Sequence, residues 1–245
     1  MRDAIRFHHG PVIRPSSRIL SANGRLRVRR MAVVGLLLAV CGCDYTNGDS
    51  SHKINGAVHV AAGPAPSSAE TVNGSIDIDP NATVTQVATV NGNIHCGAHA
   101  TATSIRSVNG RISLDEGAHV TGVVESVNGA VSVGDGADVA GALKNVSGTI
   151  ELRNAHVAGG IRTVAGNISV LGSSRVEGGI VVEKPGGTFI SIGSSIPRIV
   201  VGPGASVAGE LRFEREVHLF VSDKATVGAI TGATAVSFTD DQPPG

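Results

Sequence analysis

The stretch Ala88-Thr-Val-Asn-Gly-Asn-Ile-His-Cys-Gly-Ala-His-Ala100 decides the fold, because its core recurs along the chain. Val-Asn-Gly followed one residue later by Ile or Val begins at Val72, Val90, Val108 and Val127. A sister copy begins at Ile54, and looser copies begin at Val146 and Val164. The glycines Gly56, Gly74, Gly92, Gly110, Gly129, Gly148 and Gly166 are therefore 18 or 19 residues apart. A fixed period near 20 residues is the signature of a solenoid, in which each repeat buries its apolar face only against its neighbours.

Within each repeat the apolar residues alternate. Ile76 and Ile78 flank Asp77, Ile112 and Leu114 flank Ser113, and Ile150 and Leu152 flank Glu151. Period two means short strands with one face inward. Two further pieces recur: Ala-x-Val, as at Ala118, Ala137 and Ala155, and Val-x-Gly-x-aliphatic, as at Val139, Val157 and Val176. Three strand-like pieces per repeat predict an all-β, single-stranded parallel β-helix with roughly triangular rungs of 18–19 residues. Rungs then stack about 4.8 Å apart. Each repeat glycine is expected at a bend that a Cβ would hinder. Asn73, Asn91, Asn109 and Asn128 are expected to form a ladder of side-chain amides along the axis.

Composition agrees. Of 245 residues only one is Tyr, five are Phe and none is Trp, while Gly numbers 33. Stacked β-branched side chains of equal size fill a solenoid core without aromatics. The formal charge is zero overall but uneven. Residues 1–30 hold eight Arg against Asp3, whereas residues 43–245 hold 12 basic and 19 acidic residues, a net of −7. An acidic body argues against a nucleic-acid partner, which selects for basic surfaces.

Arg25-Leu-Arg-Val-Arg-Arg30 precedes the apolar run Ala32 to Val40. A basic segment before about ten apolar residues is the pattern of an export signal, and it is too short to span a membrane as a helix. The end of the run, Val40-Cys-Gly-Cys43, resembles the lipobox of bacterial lipoproteins. The resemblance implies that Cys43 is lipidated, carries palmitate-type chains and becomes the mature N-terminus. It also implies anchoring to the bacterial envelope, on the periplasmic side of either membrane or at the cell surface. A plain secretory signal is the alternative. The long Arg-rich arm ahead of it leads to the expectation that translation starts near Val28 or Met31. The expected organisation is then a basic arm and signal over 1–43, a polar tether over 44–53, the solenoid over 54–236 with an irregular end, and a disordered tail over 237–245.

The positions Val72, Ile78, Val84, Val90, Cys96, Ala102, Val108, Leu114 and Val120 also keep a six-residue beat, which resembles the left-handed hexapeptide-repeat helices. The Val-x-Gly-x-Ile cadence is more similar to the bactofilins, polymer-forming bacterial β-helices, and to bacterial putative-adhesin solenoids. The bactofilin resemblance implies a right-handed coil and self-association end to end. Glu183 to Arg198 is expected to form a longer, irregular rung. The hydrophobic cluster around Phe213, Val217, Leu219 and Phe220 is expected to cap the end, with a docking surface as the alternative.

Candidate chemistry is sparse. His99, His119 and His156 occupy the middle of Ala-x-Val pieces or their look-alikes, with Asp138 between them, and His59, Asp77 and His95 form a second outward column. Thr83, Arg175 and Ser206 fill the same turn position, so both columns are expected to be solvated surface and not a metal site. Cys96 takes the place of Ile78 and Leu114 and is expected to be a buried small hydrophobe. No phosphate-binding, serine-hydrolase or zinc-protease motif occurs. No catalytic residue and no cofactor are expected. The function expected is structural or self-assembling, with a monomeric adhesin or envelope-polymer binding module as the alternative. A hexapeptide-type acyltransferase ranks third, since an exported chain would not meet acyl-CoA.

Overall fold

Strand after strand pairs with its counterpart one turn away, and every pairing is parallel. The computed structural model describes residues 50–63, 67–185 and 196–240, and no α-helix occurs among them. The expected lipidation site Cys43, and the rest of the signal, lie outside the described residues. Three faces make up a turn. The first is a ten-stranded sheet running from Val58–Val60 to Ala235–Phe238. The second and third belong to one 16-stranded sheet. In the early turns a single long strand, such as Thr83–Asn91 or Thr101–Asn109, serves both of those faces. From His119–Val120 and Val124–Asn128 onward the strand is broken in two.

That break explains the change of period from 18 to 19. Ala102 pairs with Val120, a step of 18, but Ile105 pairs with Val124, a step of 19. The added residue falls in Thr121-Gly122-Val123, where it turns a continuous strand into a corner. The longer rung leaves the register intact. Ile168 pairs with Ile199 and Ile180 with Leu211, so both faces resume in register after steps of 31 residues.

The core is a set of columns, one residue per turn. Ile76, Ile94, Ile112, Val131, Ile150 and Ile168 stack on one face and are each at most 1% exposed. The six-residue beat holds only in part. Ile78, Val84, Cys96, Ala102, Leu114 and Val120 point inward, but Val72, Val90 and Val108 are half-exposed. The residue before each of them faces in instead: Thr71, Thr89, Ser107, Ser126, Asn145 and Thr163 form a buried polar column. Alternation is set by the strand and not by the aliphatic character of the valine, so the residue before Val-Asn-Gly takes the inner side.

Gly56, Gly110 and Gly148 have φ between 112° and 153°, and most of the repeat glycines are needed for a second reason as well. A Cβ on Gly92 would lie 1.9 Å from the Gly74 carbonyl oxygen, and one on Gly129 would lie 1.9 Å from that of Gly110. Successive backbones approach too closely for any side chain at this point. The left-handed corner lies elsewhere, at Asn81, His99, Gly117, Gly136, Asn154, Gly172 and Gly204, all with φ between 47° and 78°. Apart from His99, only Gly and Asn fill it, the types that tolerate this conformation best.

The ends differ from expectation. The first strand is Ser50–Asn55, so the solenoid begins within the stretch expected as tether. Ser51 pairs with Ala69 and Lys53 with Thr71 through the backbone, which polar side chains do not prevent. The last strand, Ala235–Phe238, reaches into the stretch expected as tail. Phe213, Val217 and Leu219 do not cap the end but fill the core of the penultimate turn. Phe213 continues the buried polar column after Thr163 and Val182.

Gly92→Ala is expected to force the backbone apart and to cost on the order of 1–3 kcal/mol, as overpacking does. Urea denaturation followed by circular dichroism checks this, and an unchanged midpoint would show that the turns slip past each other freely.

Candidate functional site

The outward side chains are linked turn to turn, and the links are of three kinds. The first is an amide ladder. Asn73 Nδ2 donates to Asn55 Oδ1, Asn91 to Asn73 and Asn109 to Asn91, each at 3.0 Å, and Asn128 donates to Asn109 at 3.2 Å. The ladder thus includes Asn55 besides the four asparagines named from the sequence. It ends where Ser147, which pairs with Asn128, has no amide to offer.

The second is an ion chain. Glu125 accepts from Arg106 Nε at 3.1 Å and from Lys144 Nζ at 3.0 Å, so one carboxylate joins three turns. Partial burial pushes the Glu125 carboxyl up, but Lys144 and Arg106 outweigh this and hold it below the ordinary glutamate range.

The third is a pair of histidine columns. Asp138 lies between His119 and His156 in register, with His119 Nδ1 at 2.8 Å from one carboxylate oxygen and His156 Nδ1 at 2.5 Å from the other. His156 Nε2 lies 3.4 Å from Glu177. His99 is not part of this column: Thr101 pairs with His119, and His99 sits two residues earlier in the left-handed corner, its ring over Gly117. On the first face His59, Asp77 and His95 align, and His95 Nε2 approaches Asp115 at 3.4 Å. Both Asp138 oxygens are already engaged by imidazoles from the turns on either side. Among the described residues no group of three His, Cys, Asp or Glu is arranged to hold a metal ion.

Inside, the polar column has its own chemistry. Thr71 Oγ1 donates to the Gly56 carbonyl at 3.2 Å, Thr89 Oγ1 to that of Gly74 at 3.1 Å, and Asn145 Nδ2 to that of Gly129 at 3.1 Å. The repeat glycine carbonyls therefore serve as acceptors for the hydroxyls and the amide. Ser107 Oγ, Ser126 Oγ and Asn145 Oδ1 are buried without a hydrogen-bond partner. The alternation of aliphatic residues does not point to this column. Its signal was the Thr, Ser or Asn that precedes Val-Asn-Gly or its variant in six consecutive repeats.

Cys96 is fully buried. Burial, with Asp115 a lesser cause, pushes its thiol up to about 12. Near the other end Phe220 points outward, half-buried, with the Arg198 guanidinium 4.4 Å from its ring centre. Val236, one turn on in the same column, is 50% exposed.

Two predictions follow from these contacts. With Cys41 and Cys43 replaced by Ser, Cys96 is the only thiol left, and it is expected to resist a thiol reagent at pH 8 until the protein is unfolded. Rapid labelling of the native protein would place it at the surface. For Glu125, a carboxyl depressed by folding contributes stability above its unfolded pKa of about 4.3 and loses it as pH falls through the lower folded value. Glu125→Gln is therefore expected to lower stability at pH 7 by no more than about 1 kcal/mol, as for a half-exposed pair. The gap should close as the pH drops below the carboxylate range, which urea titrations at several pH values measure.

No family model, no curated protein and no solved structure matches the chain.

Proposed function

We propose that this chain is a non-enzymatic, lipid-anchored solenoid of the bacterial cell envelope, with a structural role and the capacity to associate with its own copies. The observation that carries this reading is the continuous stack itself. Its outward charges and amides are used to tie one turn to the next, as in the Arg106–Glu125–Lys144 chain and the asparagine ladder. Such a stack presents flat faces and strand edges, and strand edges recruit further strands. The basic segment, the short apolar run and Cys43 support the anchor.

A second reading is a monomeric adhesin or a module that binds an envelope polymer. The apolar column of the half-buried Phe220 and the exposed Val236 favours it, because such a patch is a common contact surface.

The anchor is tested in bacterial cells fed labelled palmitate. The wild-type chain is expected to take up label and to sediment with membranes. Cys43→Ala is expected to lose the label and to stay out of the lipidated membrane fraction. Label retained on Cys43→Ala would overturn the assignment of the lipid to this residue.

A further inference from the structure

We infer that the two ends of the solenoid are not equivalent: the N-terminal end is guarded against stacking and the C-terminal end is built to receive a second copy of the same end. The inference rests on the self-association proposed above and specifies its geometry.

At the N-terminal end the inward positions of the first turn are occupied by Ser51, Lys53, Val58 and Val60. Their register shows this, since Ser51 pairs with Ala69, Lys53 with Thr71, Val58 with Ile76 and Val60 with Ile78, all buried. Among the described residues Lys53 is thus the first member of the polar column, and it is itself exposed. Its Nζ donates to the Ala57 carbonyl at 2.7 Å, so its stem folds back over the same turn and its ammonium stays at the end. Another rung added here would bury that ammonium in an apolar interior, where a charge is tolerated only with a partner. An inward-pointing charge on an edge strand is a recognised device against edge-to-edge association. Among the described residues Ser50–Asn55 and Val58–Val60 each pair on one side alone, so it is the lysine, and not a closed edge, that marks this end.

The C-terminal end has no inward charge. The inward positions of the last turn include Val227, Ile230, Ala235 and Ser237, which pair with Val207, Leu211, Leu219 and Val221. None is charged; the three aliphatic residues are partly buried and Ser237 is exposed. Among the described residues the strands Thr226–Val227, Ile230–Thr231 and Ala235–Phe238 each pair on one side alone. The outer side of the same edge carries the half-exposed Val236.

A copy that continued the coil in the parallel sense would have to offer its N-terminal rung, which Lys53 blocks. The remaining mate is the same end of a second copy. Two such ends meet about a two-fold axis, strand edge against strand edge and apolar interior against apolar interior. A two-fold contact of this kind uses up both open ends, so association closes at a dimer and does not run on as a filament.

The test uses the full chain in detergent, sized by light scattering and negative-stain imaging across a wide concentration range. Three forms are compared: wild type, Ile230→Lys and Lys53→Thr, where threonine is the column's own residue. Wild type is expected to pass from monomer to dimer, Ile230→Lys to stay monomeric, and Lys53→Thr to form species beyond the dimer. Circular dichroism melting shows whether Ile230→Lys still folds. Independently, single cysteines at Val236 and Ser51 in a chain lacking its other thiols are treated with a short bis-maleimide, and only the Val236→Cys form is expected to yield covalent dimers. Wild-type filaments would overturn the end asymmetry while leaving self-association standing. A dimer unaffected by Ile230→Lys and unlinked through Val236→Cys would do the same. A dimer that does not grow in Lys53→Thr would overturn the guarding role of that lysine. A monomer at every concentration would overturn both the inference and the self-association on which it rests.

Discussion

Each turn of this protein hydrogen-bonds to the next at the spacing of a parallel sheet, about 4.8 Å, and that spacing governs nearly every residue choice. It leaves no room for a Cβ where the Val-Asn-Gly backbones meet, which is why Gly74, Gly92, Gly110, Gly129 and Gly148 recur. It places like side chains directly above one another. Aliphatic residues of equal size then fill the interior, and asparagines bond along the axis. Charges at that spacing alternate in sign along Arg106, Glu125 and Lys144, and on another face Asp138 lies between the imidazoles of His119 and His156.

The same constraint shapes the polar column inside. Each repeat glycine leaves a carbonyl that the column side chain of the following repeat can reach. Thr71, Thr89 and Asn145 meet it, Thr163 instead accepts from the Gly166 amide, and the hydroxyls of the two serines stay unpaired. Toward the C-terminus the column gives up polarity altogether, passing from Thr163 through Val182 to Phe213. That column thus becomes more apolar along the axis, from the ammonium of Lys53 to the ring of Phe213. That gradient is what makes the two ends chemically different.

Much of this was legible in the sequence, because a period repeated seven times averages out local ambiguity. The parallel solenoid, the inward pairs such as Ile112 and Leu114, and the place of Cys96 all followed from alternation and spacing. What failed to show was anything decided by a single residue against its neighbours. Val72, Val90 and Val108 are aliphatic, yet strand alternation turns them out and turns threonine or serine in. His99 and His119 both follow an alanine, but a left-handed residue shifts His99 to the corner. Ser50 to Lys53 carry no aliphatic pattern, and only their backbone pairing with Ser68 to Thr71 makes them a strand. The lipid anchor was read from a short motif at Cys43, and its support is chemical pattern alone.

Amide hydrogen exchange, followed by mass spectrometry at low and high protein concentration, tests the account most directly. A parallel stack guarded by a lysine at one end and open to a second copy at the other predicts slow exchange from Ile76 through Leu219. It predicts fast exchange in Thr226–Val227 and Ala235–Phe238 at low concentration, slowing as concentration rises. Equal protection of both ends with no dependence on concentration would contradict the asymmetry. Fast exchange through the central turns would contradict the stack itself.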